Sequence, residues 1–276
     1  MKTKRHTLNV MTERRSKSSD TGLSSSLLRG FEILEFLATQ HSRSSLRSMA
    51  ATLGTGSSTL HRYLATLRDL GYVQRSPGGG HYELTLKVAW LASRVLDSLE
   101  LPRIARSHME KLTASTNETT HLGVLDGMEV AYVAKVDGNQ AVKMRSRVGS
   151  RVALHSTSVG KAMLAFLPSE ERDGMISKLE FTPLTPRTNR SPTKLAKELV
   201  LVRERGYAID DEENEIGIRC IGAPVFDHNG HVVGAISLSG WTVTMTQDRV
   251  KSLGPQVKGT ALSVSKELGF RTDGAE

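Results

Sequence analysis

Few side chains in this chain could do covalent chemistry, and their spacing argues against it. There is one cysteine, Cys220, and histidines at positions 121 and 155 lie in the same half of the sequence. A Cys/His nucleophilic pair or a small metal site can be drawn from them, but no CxxC or HxxxH spacing accompanies them. A phosphate-cradling P-loop, a GxGxxG turn, a GxSxG elbow and an HExxH helix are all lacking. We therefore expect no catalytic residue, no metal and no cofactor. The acidic run Asp210-Asp211-Glu212-Glu213-Asn214-Glu215 is a candidate cation site; the expected alternative is a solvated loop whose carboxylates hold neighbouring amides or Arg219. Ser237 and Ser239 share one face of a strand, because side chains alternate with period two. Beside Cys220 on an adjoining strand their hydroxyls could hydrogen-bond a small polar ligand; otherwise they are small residues in a crowded sheet.

The other chemistry is non-covalent. Ser57, Ser58, Thr59, His61 and Arg62 gather hydrogen-bonding groups at the start of a helix, the end that reaches base edges and favours phosphate. The elements that would position them are legible. Leu46, Met49, Ala50 and Leu53 repeat at helical spacing after Ser44-Ser45, and Gly54-Thr55-Gly56 supplies a turn with two positions that tolerate positive φ. Ser57 or Ser58 can cap a second helix, whose Leu60, Leu64 and Leu67 face a core and leave the polar set outward. Strands around Tyr72–Arg75 and His81–Leu84 flank a glycine-rich tip, which makes a wing. Arg47 on the first helix and Arg75 and His81 on the wing extend the expected DNA-binding surface. Leu27, Phe31, Leu34 and Ala38 mark a preceding helix from Ser26 to Thr39 that covers the back.

The charge supports a polyanion partner for this part alone. Residues 1–90 hold 13 Lys and Arg against 6 Asp and Glu, and residues 91–276 hold 24 against 23. The 276 residues suffice for two cores. A lone cysteine excludes an intrachain disulfide and suits the cytoplasm. No apolar run reaches the ~18 residues that span a bilayer, so no membrane partner is expected. Residues 1–25 read as a disordered basic arm, 26–85 as the winged helix-turn-helix, 86–101 as a linker helix, 102–270 as a second domain and 271–276 as a tail. The linker carries Trp90 on an apolar stripe, expected to be a subunit contact rather than domain core, and Glu100-Leu101-Pro102 interrupts it. One winged helix covers too little DNA for a specific site, so a homodimer on a pseudopalindromic operator in double-stranded DNA is expected.

In the second domain a helix is expected over 103–117. Strands follow at Thr119–Leu125 and Glu129–Val136 around an Asp126-Gly127 turn, and a third is expected at Gln140–Val148. Helices at 156–167, 170–179 and 194–205, strands at 216–226 and 231–239, and a final helix at 247–268 imply mixed α/β with a mainly antiparallel sheet.

The motifs SLLRGFEILEFLA, SSTLHRYLATLRDLGYV, LHSTSVGKAMLAFLP, RGYAIDDEENEIGIRCIGAPVFD and AISLSG, in this order, make the chain resemble the IclR family of bacterial transcriptional regulators from about Ser26 to Gly269. The resemblance implies a ligand-responsive regulator of a catabolic operon, with a GAF/PAS-like effector-binding domain, acting as a dimer or tetramer. It also implies a pocket for a small organic acid. Carried over by motif, that pocket comprises Ser158, Val159, Asp210, Cys220, Ser237 and Ser239, lined by Met144, Leu154 and Ile218. The turn reads TSVGK where glyoxylate- and pyruvate-binding members carry one closer to SGAGK, so Ser158 and Val159 narrow or re-polarise that corner. EFTPLTPRT and HYELTLK resemble the branch that controls sugar-acid catabolism. A GAF-like enzyme using Cys220, fused to a DNA-binding domain, is the rival expectation.

Overall fold

The computed structural model describes residues 24–39, 44–76, 79–97, 100–140 and 144–271, with side chains of the helix residues 93–97 left aside. Of the arm expected over residues 1–25, residues 1–23 lie outside the described residues, as do the tip residues 77–78 and, of the tail expected over 271–276, residues 272–276. The chain forms two compact units, Met1–Val95 and Leu96–Glu276.

The first unit opens with α1 (Ser25–Thr39). Its buried face is Ile33, Phe36 and Leu37; the stripe expected from the sequence is turned outward at Leu27 and Phe31, 62% and 56% exposed. The helix carries two apolar stripes, and periodicity does not say which one the neighbours cover. A short strand β1 (Ser44–Ser45), unforeseen, leads into α2 (Leu46–Leu53). Ser45 caps α2 by accepting the Ser48 N–H, and Gly54 ends it at φ +57°. The turn uses one left-handed glycine rather than two, since Gly56 has φ −59°. Gly56 precedes α3 (Ser57–Asp69), so neither Ser57 nor Ser58 caps it; the helix starts one residue earlier than a serine cap would allow. β2 (Val73–Arg75) and β3 (His81–Leu84) form the wing, and β3 also pairs with β1. Leu60, Leu64 and Leu67 join Met49, Leu53, Val73 and Tyr82 in one core. α4 (Leu86–Asp97) follows, and the boundary between the units falls within it.

The second unit begins with α5 (Glu100–Thr116). The linker helix ends at Asp97, close to where Glu100-Leu101-Pro102 was expected to interrupt it, and that segment opens the next helix: Pro102 sits in the first turn, where a missing N–H costs little. β4 (Thr119–Asp126) and β5 (Glu129–Val136) form the expected hairpin with Gly127 at φ +64°. The third strand is β6 (Arg151–Ala153); residues 144–150 have no regular strand, which corrects the expectation for 140–148. Helices α6 (Ser158–Phe166), α7 (Ser169–Lys178) and α8 (Pro192–Arg205) come next, then β7 (Ala208–Asp211), β8 (Ile218–Phe226), β9 (Val232–Trp241) and α9 (Gln247–Glu267). The strand β7, read from sequence as an acidic loop, is the sheet's edge.

All pairs in the six-stranded sheet are antiparallel, in the order β6-β5-β4-β9-β8-β7. Helices cover both faces. Ile221, Ala223, Val225, Ile236 and Leu238 pack against Ala105, Met109 and Leu112 of α5 and Val250, Val257, Ala261 and Val264 of α9. On the opposite face Val130, Tyr132, Ala208 and Ala235 pack with α6 and α8. Two sheet glycines make room for α6. A Cβ on Gly222 would lie 2.6 Å from the Ser158 backbone, and one on Gly123 would meet the side chains of Val130 and Val159.

Candidate functional site

On the first unit, Arg47, Ser57, Ser58, His61, Arg62, Arg75 and His81 are exposed, and Thr59 is half-buried. Burial of the three leucines of α3 turns the polar residues outward. Asp69 is the only acidic residue of that helix, at its far end, so the N-terminal end offers hydroxyls, an imidazole and a guanidinium without a competing carboxylate. Arg62 lies over the Tyr63 ring, 5.8 Å from its centroid, and the Arg75 guanidinium lies alongside Gly79 of the wing.

On the second unit, the register places Asp210 opposite Cys220, Cys220 opposite Ser239 and Gly222 opposite Ser237. All these residues share the sheet face that α6 covers. The backbone of Ser158 sits directly over Gly222, with the Val159 nitrogen beside it, so the start of α6 lies in the same corner. Thr157 caps α6 by accepting the Gly160 N–H at 3.2 Å. The residues implied by the resemblance are thus brought together from four elements, although not all in the same role. Ser158, Asp210, Ser237 and Ser239 are buried, and Cys220 is half-buried. Leu154 and Val159 are fully buried core residues, Ile218 is buried on β8, and Met144 is half-buried. The Met144 carbonyl accepts the Lys135 ammonium at 3.0 Å.

Asp210 departs from the solvated loop expected of the acidic run. It is 2% exposed, and its Oδ1 accepts the N–H groups of Glu213 (2.8 Å) and Asn214 (3.3 Å). Burial pushes its carboxyl up to about 7, against the pull of Lys161 and those two amides. Asp211, as expected, pairs with Arg219 at 2.6 Å. Behind the site the Lys161 side chain is fully buried, with its ammonium 2.6 Å from Glu198 and bonded also to Glu213. Burial opposes that charge, but the two carboxylates outweigh it and hold the ammonium above its ordinary range.

Two residues that the sequence did not place in the pocket, His121 and Tyr132, complete the corner. His121 on β4 is 2% exposed; its Nε2 lies 2.7 Å from Ser146 Oγ and its Nδ1 3.4 Å from Ser239 Oγ. Its ring stacks on Tyr132, with centroids 4.6 Å apart. Burial, reinforced by Lys135, lowers His121 to about 3, so the imidazole is neutral. The signal available in the sequence was the alternation of β4, which sets Thr119, His121 and Gly123 on one face. Cys220 and Tyr132 are pushed up, first by burial and then, for Cys220, by the Asp210 carboxyl. A thiol held protonated is a poor nucleophile, and His121 reaches Ser239 rather than Cys220. No group of three or more candidate metal ligands occurs among the described residues.

A winged helix carried in one chain with a sheet domain whose buried polar groups gather under a helix start defines a ligand-responsive DNA-binding transcriptional regulator. The chain belongs to the IclR family: the model for the "Bacterial transcriptional regulator IclR C-terminal" domain matches residues 93–266, and that for the "IclR helix-turn-helix domain" matches residues 26–77. It is 34% identical over 245 residues to the HTH-type transcriptional regulator XynR of Escherichia coli K12, covering 89% of this chain and 97% of the relative. The crystal structure of the Thermotoga maritima IclR superposes with a TM-score of 0.77 at 37% identity, over 88% of this chain and 98% of that one. An IclR homologue from Microbacterium hydrocarbonoxydans, solved in complex with 4-hydroxybenzoate, superposes at 0.75 and 25% identity over 88% and 99%. No helix among the described residues is long and apolar enough to cross a membrane.

Proposed function

We propose that this regulator is a cytoplasmic repressor of a catabolic operon that binds a pseudopalindromic operator as a homodimer, able to pair into a homotetramer, and is controlled by a small organic acid. The observation that carries the reading is the convergence of Asp210, Cys220, Ser237 and Ser239 beneath the start of α6, with Ser158 directly over Gly222. Backbone amides at a helix start suit a carboxylate, and the flanking hydroxyls and thiol suit its polar substituents. A homologue that holds 4-hydroxybenzoate supports an acid as the ligand class. The DNA half rests on the exposed set Arg47, Ser57, Ser58, Thr59, His61, Arg62, Arg75 and His81. The dimer rests on apolar exposure in the first unit: Leu27 and Phe31 on α1, and Leu86, Trp90 and Leu91 on α4, with Trp90 at 58%.

The test measures operator binding by fluorescence anisotropy with and without acid. Affinity should fall with salt at a slope of about −0.9 per phosphate contact, and Arg62→Ala should weaken binding at every salt concentration. A cognate acid should shift operator affinity roughly 5- to 150-fold, and operator DNA should shift acid affinity by the same factor. Ser239→Ala with Cys220→Ala should remove that response. A response that persists in this double variant at wild-type acid concentrations would relocate the pocket. An intact dimer in Trp90→Arg, measured by sedimentation, would relocate the subunit contact.

A further inference from the structure

In the first unit α4 is joined to the DNA-reading helix by polar groups rather than by the core. None of residues 86–92 is buried, Val88 alone among them is half-buried, and the hydrophobic core of the unit contains no residue of this helix. Packing therefore does little to fix the direction of α4.

What holds its first turn is the end of α3. The carbonyls of Leu67 and Arg68 accept the N–H groups of Tyr72 and Gly71, and the carbonyls that follow the helix are taken by the start of α4. Thr85 Oγ1 donates to the Gly71 carbonyl at 2.6 Å and accepts the Lys87 N–H at 3.2 Å. The Lys87 ammonium donates to the Leu70 carbonyl at 2.8 Å and lies 4.6 Å from the centroid of the Tyr72 ring. The cation thus stands at the negative end of the α3 dipole, on an aromatic ring that itself packs against the core.

The grip on α3 and the apolar stripe of α4 occupy different faces. At ~100° per residue Leu86 and Trp90 form one stripe, exposed at 86% and 58%, and Lys87 stands about a quarter turn away from it. One face is left for a second copy while the neighbouring face holds the reading helix.

A pseudopalindrome makes that arrangement matter. Each base pair inserted between two half-sites moves one of them ~3.4 Å along the duplex and about 35° around it. A dimer can insist on one spacing only if the angle between its contact helix and its reading helix is fixed.

We propose that Lys87 and Thr85 are positioning residues for operator recognition: by clamping the first turn of α4 to the end of α3 they set the half-site spacing that the dimer accepts. This rests on the reading, given above, of a dimer whose contact includes α4.

The experiment uses the full-length protein and an operator selected by the wild type from a random duplex library. Fluorescence anisotropy compares that operator with versions whose half-sites lie one or two base pairs closer or farther apart, and with a duplex carrying a single half-site. The wild type should lose at least tenfold in affinity per base pair of change. Lys87→Met combined with Thr85→Val should lose less than threefold per base pair, with single half-site affinity within twofold of wild type. Lys87→Arg, which keeps a cation for the Leu70 carbonyl, should keep the wild-type discrimination. Urea midpoints establish that each variant is folded. If the double variant does not fold, Lys87→Met alone, at an exposed position, carries the test and should reduce the loss per base pair at least threefold. Discrimination absent from the wild type, or unchanged in the folded variants, would overturn this assignment. So would a shallower salt dependence with unchanged discrimination in Lys87→Met, which would make Lys87 a phosphate contact. These outcomes leave the dimeric reading standing, whereas a wild type that selects no bipartite site would overturn both.

Discussion

The two units keep their polar side chains in opposite places. In the first, Ser57, Ser58, His61 and Arg62 stand exposed at the start of α3, and their side chains make no hydrogen bond among the described residues. In the second, Lys161, Asp210 and His121 are each no more than 2% exposed and each holds hydrogen-bond partners. The contrast is what the proposed function expects from the size of what each unit would meet. A duplex is too large to enclose, so the groups that read it wait in water and need no partners of their own. A small molecule can be enclosed, and a site that encloses it must have its polar groups oriented and satisfied beforehand. Stability should therefore depend on the polar residues of the second unit and hardly at all on those of the first.

The largest expected effect breaks that contrast if it fails. Lys161→Met removes a buried cation and leaves Glu198 and Glu213 facing each other without it, at a cost of about 3–5 kcal/mol. Because the ammonium is held above its ordinary range, its contribution is complete at neutral pH and is lost only as pH rises through that raised value. Arg62→Ala, on the exposed face, should stay within about 0.5 kcal/mol in the same urea titration. Equal losses in the two variants would remove the distinction between the units.

A smaller effect sharpens it with pH. Asp210 folds with its carboxyl raised to about 7, so the neutral form favours the native state. The associated stability is complete below the unfolded carboxyl range near pH 4 and declines as pH rises through about 7, by at most about 4 kcal/mol at 1.36 per pKa unit. Of the groups facing Asp210, Lys161, Cys220 and Tyr132 keep their forms over this window, whereas burial also raises the Glu213 carboxyl, which adds to the same decline. Asp210→Asn should flatten the decline between pH 4 and 7 when urea midpoints are compared with wild type. A slope unchanged in that variant would assign the decline to other groups.

How much of this was legible in the sequence depended on whether a pattern has one spatial solution. The leucines of α3 and the alternation around Asp126-Gly127 have one, and both elements stand where periodicity puts them. α1 has two apolar stripes, and of the one chosen from spacing Leu34 packs against the core while Leu27, Phe31 and Ala38 face outward, because the neighbours decide which positions are covered. β7 was hidden by composition: an acidic run reads as solvated until pairing with β8 buries Asp210. The ligand corner was legible only as motif positions. His121 gained its neighbours from a strand pairing and from Ser146, 25 residues away, and no local spacing encodes either.

The smallest expected effect tests the first unit from within, using two serines that look alike in sequence. Each precedes or opens a helix of the same hairpin, and each was a plausible cap. Ser45 is one: its hydroxyl accepts the Ser48 N–H at 3.2 Å and supplies one of the orphan amides of α2 with a partner. Ser57 is not, because Gly56 occupies the cap position and Ser57 is already the first helical residue of α3. Ser45→Ala should therefore cost about 1 kcal/mol of stability, the usual worth of a serine cap. Ser57→Ala should change stability by less than about 0.5 kcal/mol, and its loss should appear in operator affinity, where its hydroxyl and the α3 amides face the same anion. Urea denaturation and operator titration on both variants separate the outcomes. If Ser57→Ala destabilised as much as Ser45→Ala while operator affinity stayed at the wild-type value, the start of α3 would be a structural cap rather than part of the surface that reads DNA.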